Sequence, residues 1–89
     1  MLGANFPNPF NPRTTISFTL PEACHVGVAV YDSAGRLVRT LAGEHMAEGP
    51  HSVVWDGETD RGTRAASGVY FCRLSTPAGA ESSSMVMVR

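Results

Sequence analysis

Several side chains in this 89-residue chain have types and spacings that could do chemistry. Cys24-His25 sets a thiol beside an imidazole, the two partners of a nucleophilic dyad. Adjacent residues on an extended strand point to opposite faces, so these two would need a bulge to meet. Ser67 lies in Ala66-Ser67-Gly68, without the glycine two residues upstream that a nucleophile elbow requires, and no acid or histidine is placed to partner it. A nucleophile, a base and an orienting group cannot be assembled from these motifs, so the chain is expected not to be an enzyme.

Asp56, Glu58 and Asp60 alternate as the first three ligands of a calcium-binding EF-hand loop do. The match then breaks, because Arg61 stands where that loop needs glycine and Ser67 where it needs a bidentate glutamate. A turn in which Asp56 accepts a hydrogen bond from its own backbone is the simpler reading. His25, His45 and His51 lack the spacing of zinc ligands. No metal or other cofactor is expected. Exposed rings could hold a carbohydrate, and the chain has Trp55, Tyr31, Tyr70 and four phenylalanines. Trp55 shares a face with Val53, Tyr70 with Leu74 and Phe18 with Ile16, which assigns these rings to a core.

The elements that must position these residues read as strands. Thr14 to Leu20 alternates Thr15, Ser17, Thr19 with Ile16, Phe18, Leu20, the period of a strand with one wet face. Val26, Val28 and Val30 repeat the pattern. Asp32 to Gly35 then supplies a tight turn in which Gly35 takes a positive φ. A third strand is expected from Arg36 to Leu41, a polar loop from Ala42 to Pro50, and a fourth strand with His51, Val53 and Trp55 on one face. Asp56 to Arg64 is turn-rich. Gly68 to Ser75 forms a fifth, central strand, and about Glu81 to Val88 a sixth, with Met85 and Met87 opposing Val86 and Val88. Short strands with no helical period predict an antiparallel immunoglobulin-like or fibronectin III-like β-sandwich of six or seven strands.

Size and charge narrow the options. A chain of this length forms one domain, residues 1–89, and buries about 60 to 65% of its unfolded surface, enough for one two-layer core. Seven arginines, no lysine and eight scattered acids give a net charge of -1, without the basic stripe that a nucleic-acid partner requires. No run of apolar residues is long enough for a membrane span, and Met1 to Ala4 lacks the regions of a signal peptide. Cys24 and Cys72 lie 48 residues apart, which suits an inter-sheet bridge, but Trp55 falls too late for the rest of that signature. A bridge and two unpaired thiols both remain open.

The opening Asn5-Phe6-Pro7-Asn8-Pro9-Phe10-Asn11-Pro12 cannot be helical, because each proline fixes its own φ and pushes its predecessor out of the α region. Residues 1–13 are expected to be an ordered ribbon strapped to the sandwich, with Phe6 and Phe10 as apolar anchors.

This opening, followed by Thr14-Thr15-Ile16-Ser17-Phe18, resembles the start of the C-terminal sorting domains of type IX secretion substrates. Val30-Tyr31-Asp32, Gly35-Arg36, Gly49, His51, Trp55-Asp56-Gly57 and Ala66-Ser67-Gly68-Val69-Tyr70 follow in that family's order across nearly the whole chain. The same pattern is similar to the immunoglobulin-like domain of flagellar hook-capping proteins. The resemblance implies a non-catalytic sorting module at the end of a larger exported enzyme or adhesin, whose export signal lies at the start of that parent. Its partners would be the type IX translocon and the surface-attachment machinery, and its destination the cell surface. Gly68-Val69-Tyr70 resembles the family's Gly-x-Tyr element, and Ser84 stands where many members carry lysine. Recognition is expected at Gly68, Tyr70 and Met85-Val86-Met87-Val88-Arg89, a terminal strand at a sheet edge that a partner could extend or capture. Asn8, Pro9, Phe10, Asn11, Pro12, Trp55, Asp56 and Gly57 form the supporting motif.

Overall fold

Apolar side chains at every second position can be buried only if the strands that carry them pack face to face. The computed structural model, which describes residues 1–89, does this with β1 (Thr14–Leu20), β2 (Cys24–Asp32), β3 (Leu37–Met46), β4 (Gly49–Trp55), β5 (Gly68–Thr76) and β6 (Gly79–Met87). One sheet pairs β1 with β4, and the other has the order β3-β2-β5-β6, with every pairing between named strands antiparallel. Ile16, Phe18 and Leu20 of β1 face Val26, Val28 and Val30 of β2 and Tyr70, Cys72 and Leu74 of β5 across the interior. Gly35 closes the β2–β3 turn at φ 84°, with its N–H donating to Asp32 O at 3.0 Å.

At the centre of the larger core cluster, the indole of Trp55 is fully buried between two rings. Phe10 meets it edge-on at 5.6 Å and Tyr70 at 5.1 Å, the tilted geometry that aromatic quadrupoles favour. The two polar atoms of this group are both bonded. Trp55 Nε1 donates to Glu58 O at 2.9 Å, and Tyr70 Oη donates to Ala66 O at 2.5 Å. The tyrosine bond, reaching back four residues from a position two before Cys72, is the tyrosine corner of immunoglobulin sandwiches.

The structure corrects two expectations. The segment Ala42–Pro50 is not a polar loop: β3 runs on to Met46, paired with β2 as far as Cys24, and only Ala47 and Glu48 separate it from β4. As an edge strand with much of its length wetted on both faces, β3 is ordered by backbone pairing to β2 and shows no alternation in its far half. Phe6 is not an anchor either, since its ring is 80% exposed. What holds it is its main chain, which exchanges two 2.9 Å hydrogen bonds with Thr15.

The lead-in is nevertheless strapped down along its length. Met1 to Phe6 runs antiparallel beside β1 through Leu2–Phe18 and Phe6–Thr15 bridges. The chain then crosses to the other sheet, where Phe10 bridges Met87 in parallel: Phe10 N donates to Val86 O at 3.0 Å, and Val88 N to Phe10 O at 2.9 Å. All three X-Pro bonds of the ribbon, at Pro7, Pro9 and Pro12, are cis. One strap therefore borders both sheets.

The two phenylalanines of this ribbon should respond differently to truncation. Phe10→Ala should cost about 3 to 5 kcal/mol, as loss of a buried ring does. Phe6→Ala should stay within about 0.5 kcal/mol. Urea denaturation of the two variants checks this, and equal midpoints would show that the Phe10 ring is not the anchor.

Candidate functional site

The residues that could do chemistry are dispersed. Cys24 and His25 take opposite faces at the start of β2, the thiol half-buried against the smaller core cluster and the ring exposed. Both cysteines are free. Cys72 lies opposite Val30 on β2, six residues along that strand from Cys24, or about 20 Å, far beyond the reach of a disulfide. His25 faces His45 across the β2–β3 pair, while His51 Nε2 lies 2.7 Å from Ala47 O, and no three histidine, cysteine or acidic side chains converge to hold a metal ion.

The alternating acids of the β4–β5 loop are held by Arg39 of β3. Its Nη1 reaches Asp56 Oδ1 and the carbonyls of Glu58 and Thr59, each at 3.4 Å, and its Nε lies 3.9 Å from Asp60. Asp56 Oδ1 also accepts the Glu58 N–H at 3.0 Å, the Asx turn expected of that position. Asp60 Oδ1 accepts the Thr40 N–H at 3.0 Å, so the loop borders the start of the β3 edge.

The segment Met85 to Arg89 lies mostly against its own fold. Met85 and Met87 are buried in the core, and the outer edge of β6 is bordered by the lead-in, where Asn8 Oδ1 accepts the Val86 N–H at 3.0 Å beside the Phe10 pairing. The expectation of an uncovered terminal strand is thus corrected: β6 ends at Met87 as an edge strand, but a strap of the same chain occupies that edge there. Val86 and Val88 remain exposed. Arg89 docks into the loop before β5. Its N–H donates to Ser67 Oγ at 2.9 Å, its Nε to Ala65 O at 2.7 Å and its Nη2 to Gly57 O at 2.8 Å.

Gly57 is required at this junction. It sits at φ 81°, and a Cβ there would stand 2.8 Å from Pro12 O and 3.0 Å from Arg89 Nη2. Pro12, Gly57 and Arg89 therefore meet at one point, which joins the end of the Asn8-Pro9-Phe10-Asn11-Pro12 motif to the Trp55-Asp56-Gly57 turn. Gly68 begins β5 two residues before the Tyr70 corner. Sequence reasoning missed the buried polar knot beneath the lead-in. Asn5 Nδ2 donates to Thr14 Oγ1 at 3.0 Å and to Pro7 O at 3.2 Å, and Thr14 Oγ1 donates to Pro7 O at 2.9 Å. Its signal was an asparagine entering a proline-rich ribbon, where carbonyls outnumber N–H donors.

Burial pushes the Cys72 thiol up, and burial together with the nearby Asp32 charge raises Tyr70, against a smaller opposing effect of Arg89. The backbone N–H of Arg36 holds Asp32 below its ordinary value, with the Ala34 N–H adding to it. For Cys72 and Tyr70 the unfolded chain gives up its proton first as pH rises. It then binds fewer protons than the folded one, so stability should fall above about pH 9. Denaturation midpoints between pH 8 and 11 should show that fall, and Cys72→Ala should flatten part of it. A thiol reagent at neutral pH should label Cys24 in the native protein and both cysteines only after unfolding. Arg89→Ala should cost about 1 to 3 kcal/mol through its lost charge-assisted bonds, with part regained in Arg89→Lys. An unchanged midpoint would show that the Arg89 contacts carry no stability.

Comparison with known proteins places this geometry. The FlgD Ig-like domain family matches residues 8–79. No curated protein matches the chain. Among solved structures it is similar to dimeric latent PorU from Porphyromonas gingivalis, with a TM-score of 0.72 and 28% identity over 98% of this chain and 9% of that one. It is also similar to FlgD from P. aeruginosa, with a TM-score of 0.67 and 28% identity over 83% of this chain and 58% of that one. PorZ, described as an essential bacterial surface component of the type-IX secretion system of Porphyromonas gingivalis, shares the fold at a TM-score of 0.66 and 24% identity, over 97% of this chain and 11% of that one. The chain spans less than two thirds of each of these proteins. With most of its length matched and its sandwich shared, the chain belongs to the FlgD Ig-like domain family.

Proposed function

We propose that this chain is a non-catalytic sorting domain carried by a larger exported enzyme or adhesin and read by the type IX secretion machinery. The observation that carries the proposal is the likeness to PorU: 98% of this chain corresponds, at 28% identity, to a segment that makes up 9% of a much longer protein. The sharing of the fold with PorZ, a surface component of that secretion system by its description, and the order of motifs from Asn5 to Tyr70 support the same reading.

A sorting domain needs no reacting group. It needs a fold that survives passage and a surface that a partner can recognise. In this domain the readable part of the last segment is Val86, Val88 and the docked Arg89, since Met85 and Met87 serve the core. The translocon is the first partner and the surface-attachment machinery the second, with the cell surface as destination. The rival, an immunoglobulin-like module that only spaces or tethers another domain, draws on the likeness to the FlgD protein at 28% identity.

A reporter with an export signal and this chain at its C-terminus should reach the surface of a host with a compatible type IX system, as read by protease accessibility on intact cells. It should stay in the periplasm of the same host with the translocon disabled. Retention of the folded fusion in the competent host, or surface delivery that ignores the translocon, would overturn sorting and favour the spacer reading.

A further inference from the structure

Two of the three histidines stand side by side on the outer face of the four-stranded sheet. His25 of β2 lies directly opposite His45 of β3, and both side chains are exposed. Directly opposed residues of an antiparallel pair share a face, with their Cβ atoms about 4.5 to 5.5 Å apart. Two imidazole nitrogens bound to one zinc ion, each about 2.0 to 2.1 Å from it, lie about 3.3 Å from each other in a tetrahedral site. Rings leaning together from that Cβ spacing close the difference without moving the backbone. Among the three histidines, only His51 has a hydrogen-bonded ring, through Nε2 to Ala47 O.

The surroundings leave this pair open. In the next outward row Gly27 lies opposite Gly43, so no side chain of β2 or β3 stands beside the rings there. A Cβ at Gly43 would meet nothing within 4 Å, and one at Gly27 would meet only Ser75 Cβ, at 3.8 Å. That leaves room for the waters that complete a two-residue site. The arginine on this face, Arg73, lies opposite Ala29, four residues along β2 from His25, or about 13 Å away. Cys24 precedes His25 but turns towards the core, so its thiol is not a third ligand.

We propose that His25 and His45 form a two-histidine site for a late first-row divalent cation, with Zn²⁺ as its representative and water in the remaining positions. Neutral imidazole suits Zn²⁺, Ni²⁺ and Cu²⁺, whereas Mg²⁺ and Ca²⁺ require oxygen ligands. The site lies where the fold is least packed. Gly43, Glu44 and His45 are all exposed, and this half of β3 is ordered by its pairing to β2. An ion held by one ring from each strand adds a side-chain link to that backbone pairing, and so clamps the edge strand at its far end.

Calorimetric titration of the 89-residue chain with Zn²⁺, Ni²⁺ and Mg²⁺ in a non-chelating buffer tests this. One Zn²⁺ should bind per chain, Ni²⁺ should bind as well, and Mg²⁺ should not. His25→Ala and His45→Ala should each weaken Zn²⁺ binding at least tenfold, while His51→Ala and Cys24→Ala should bind as the wild type does. Zn²⁺ should raise the unfolding midpoint of the wild type and leave those of His25→Ala and His45→Ala in place, because the ion favours the folded pair over the unfolded chain. Both positions point to solvent, so the fold should persist in these two variants, as read by Trp55 fluorescence. A wild type without saturable Zn²⁺ binding would overturn the proposal. Undiminished binding in the two folded variants would do the same, as would loss of binding in Cys24→Ala, which would place the ion on the thiol.

Discussion

The fold depends on one contact, the seating of Trp55 between Phe10 and Tyr70. Each ring arrives from a different part of the chain: the lead-in, the last residue of β4 and the start of β5. The stack is therefore where the two sheets and the strap are fastened together. Its polar atoms fix the adjoining loop as well, because the indole N–H holds the Glu58 carbonyl and the tyrosine hydroxyl holds that of Ala66. Rings that must be dry and bonded at the same time leave little freedom in how that loop can run.

A second constraint concerns sheet edges, which a small sandwich cannot avoid. The lead-in borders β1 with its first residues and the end of β6 with Phe10 and Asn8, while Asp60 covers the start of β3. An extended ribbon rich in proline suits this work, since it has few N–H groups of its own to leave unpaired. The remaining polar atoms are handled locally, by Asn5 and Thr14 under the ribbon and by Arg89 and Arg39 over the loop. No buried side-chain nitrogen or oxygen is left without a partner.

Much of this was legible in the sequence, for reasons that differ by residue. Strands β1, β2 and β5 show a clean period of two because each has one dry face and one wet one. The far half of β3 was illegible for the opposite reason: Gly43, Glu44 and His45 are all exposed, and only pairing to β2 makes them a strand. Phe6 and Phe10 look alike in sequence. Which ring is buried is decided by where the ribbon crosses between sheets, a tertiary fact that no local pattern carries. The candidate site was partly legible. Trp55, Asp56 and Gly57 announced a turn, but the meeting of Gly57 with Pro12 and Arg89 joins residues far apart in the chain.

The Phe10–Met87 bridge also fixes an order of events. Within this domain Phe10 precedes all six strands, and the strand it leans on is the last of them. Until β6 is complete, the strap has no second sheet to join and Trp55 lacks the neighbours that enclose it. Contacts of this span reward the chain only after the intervening loop entropy has been overcome, so the domain should close late and nearly all at once. A polypeptide built this way stays pliable until its last strand is in place and then becomes rigid as a whole.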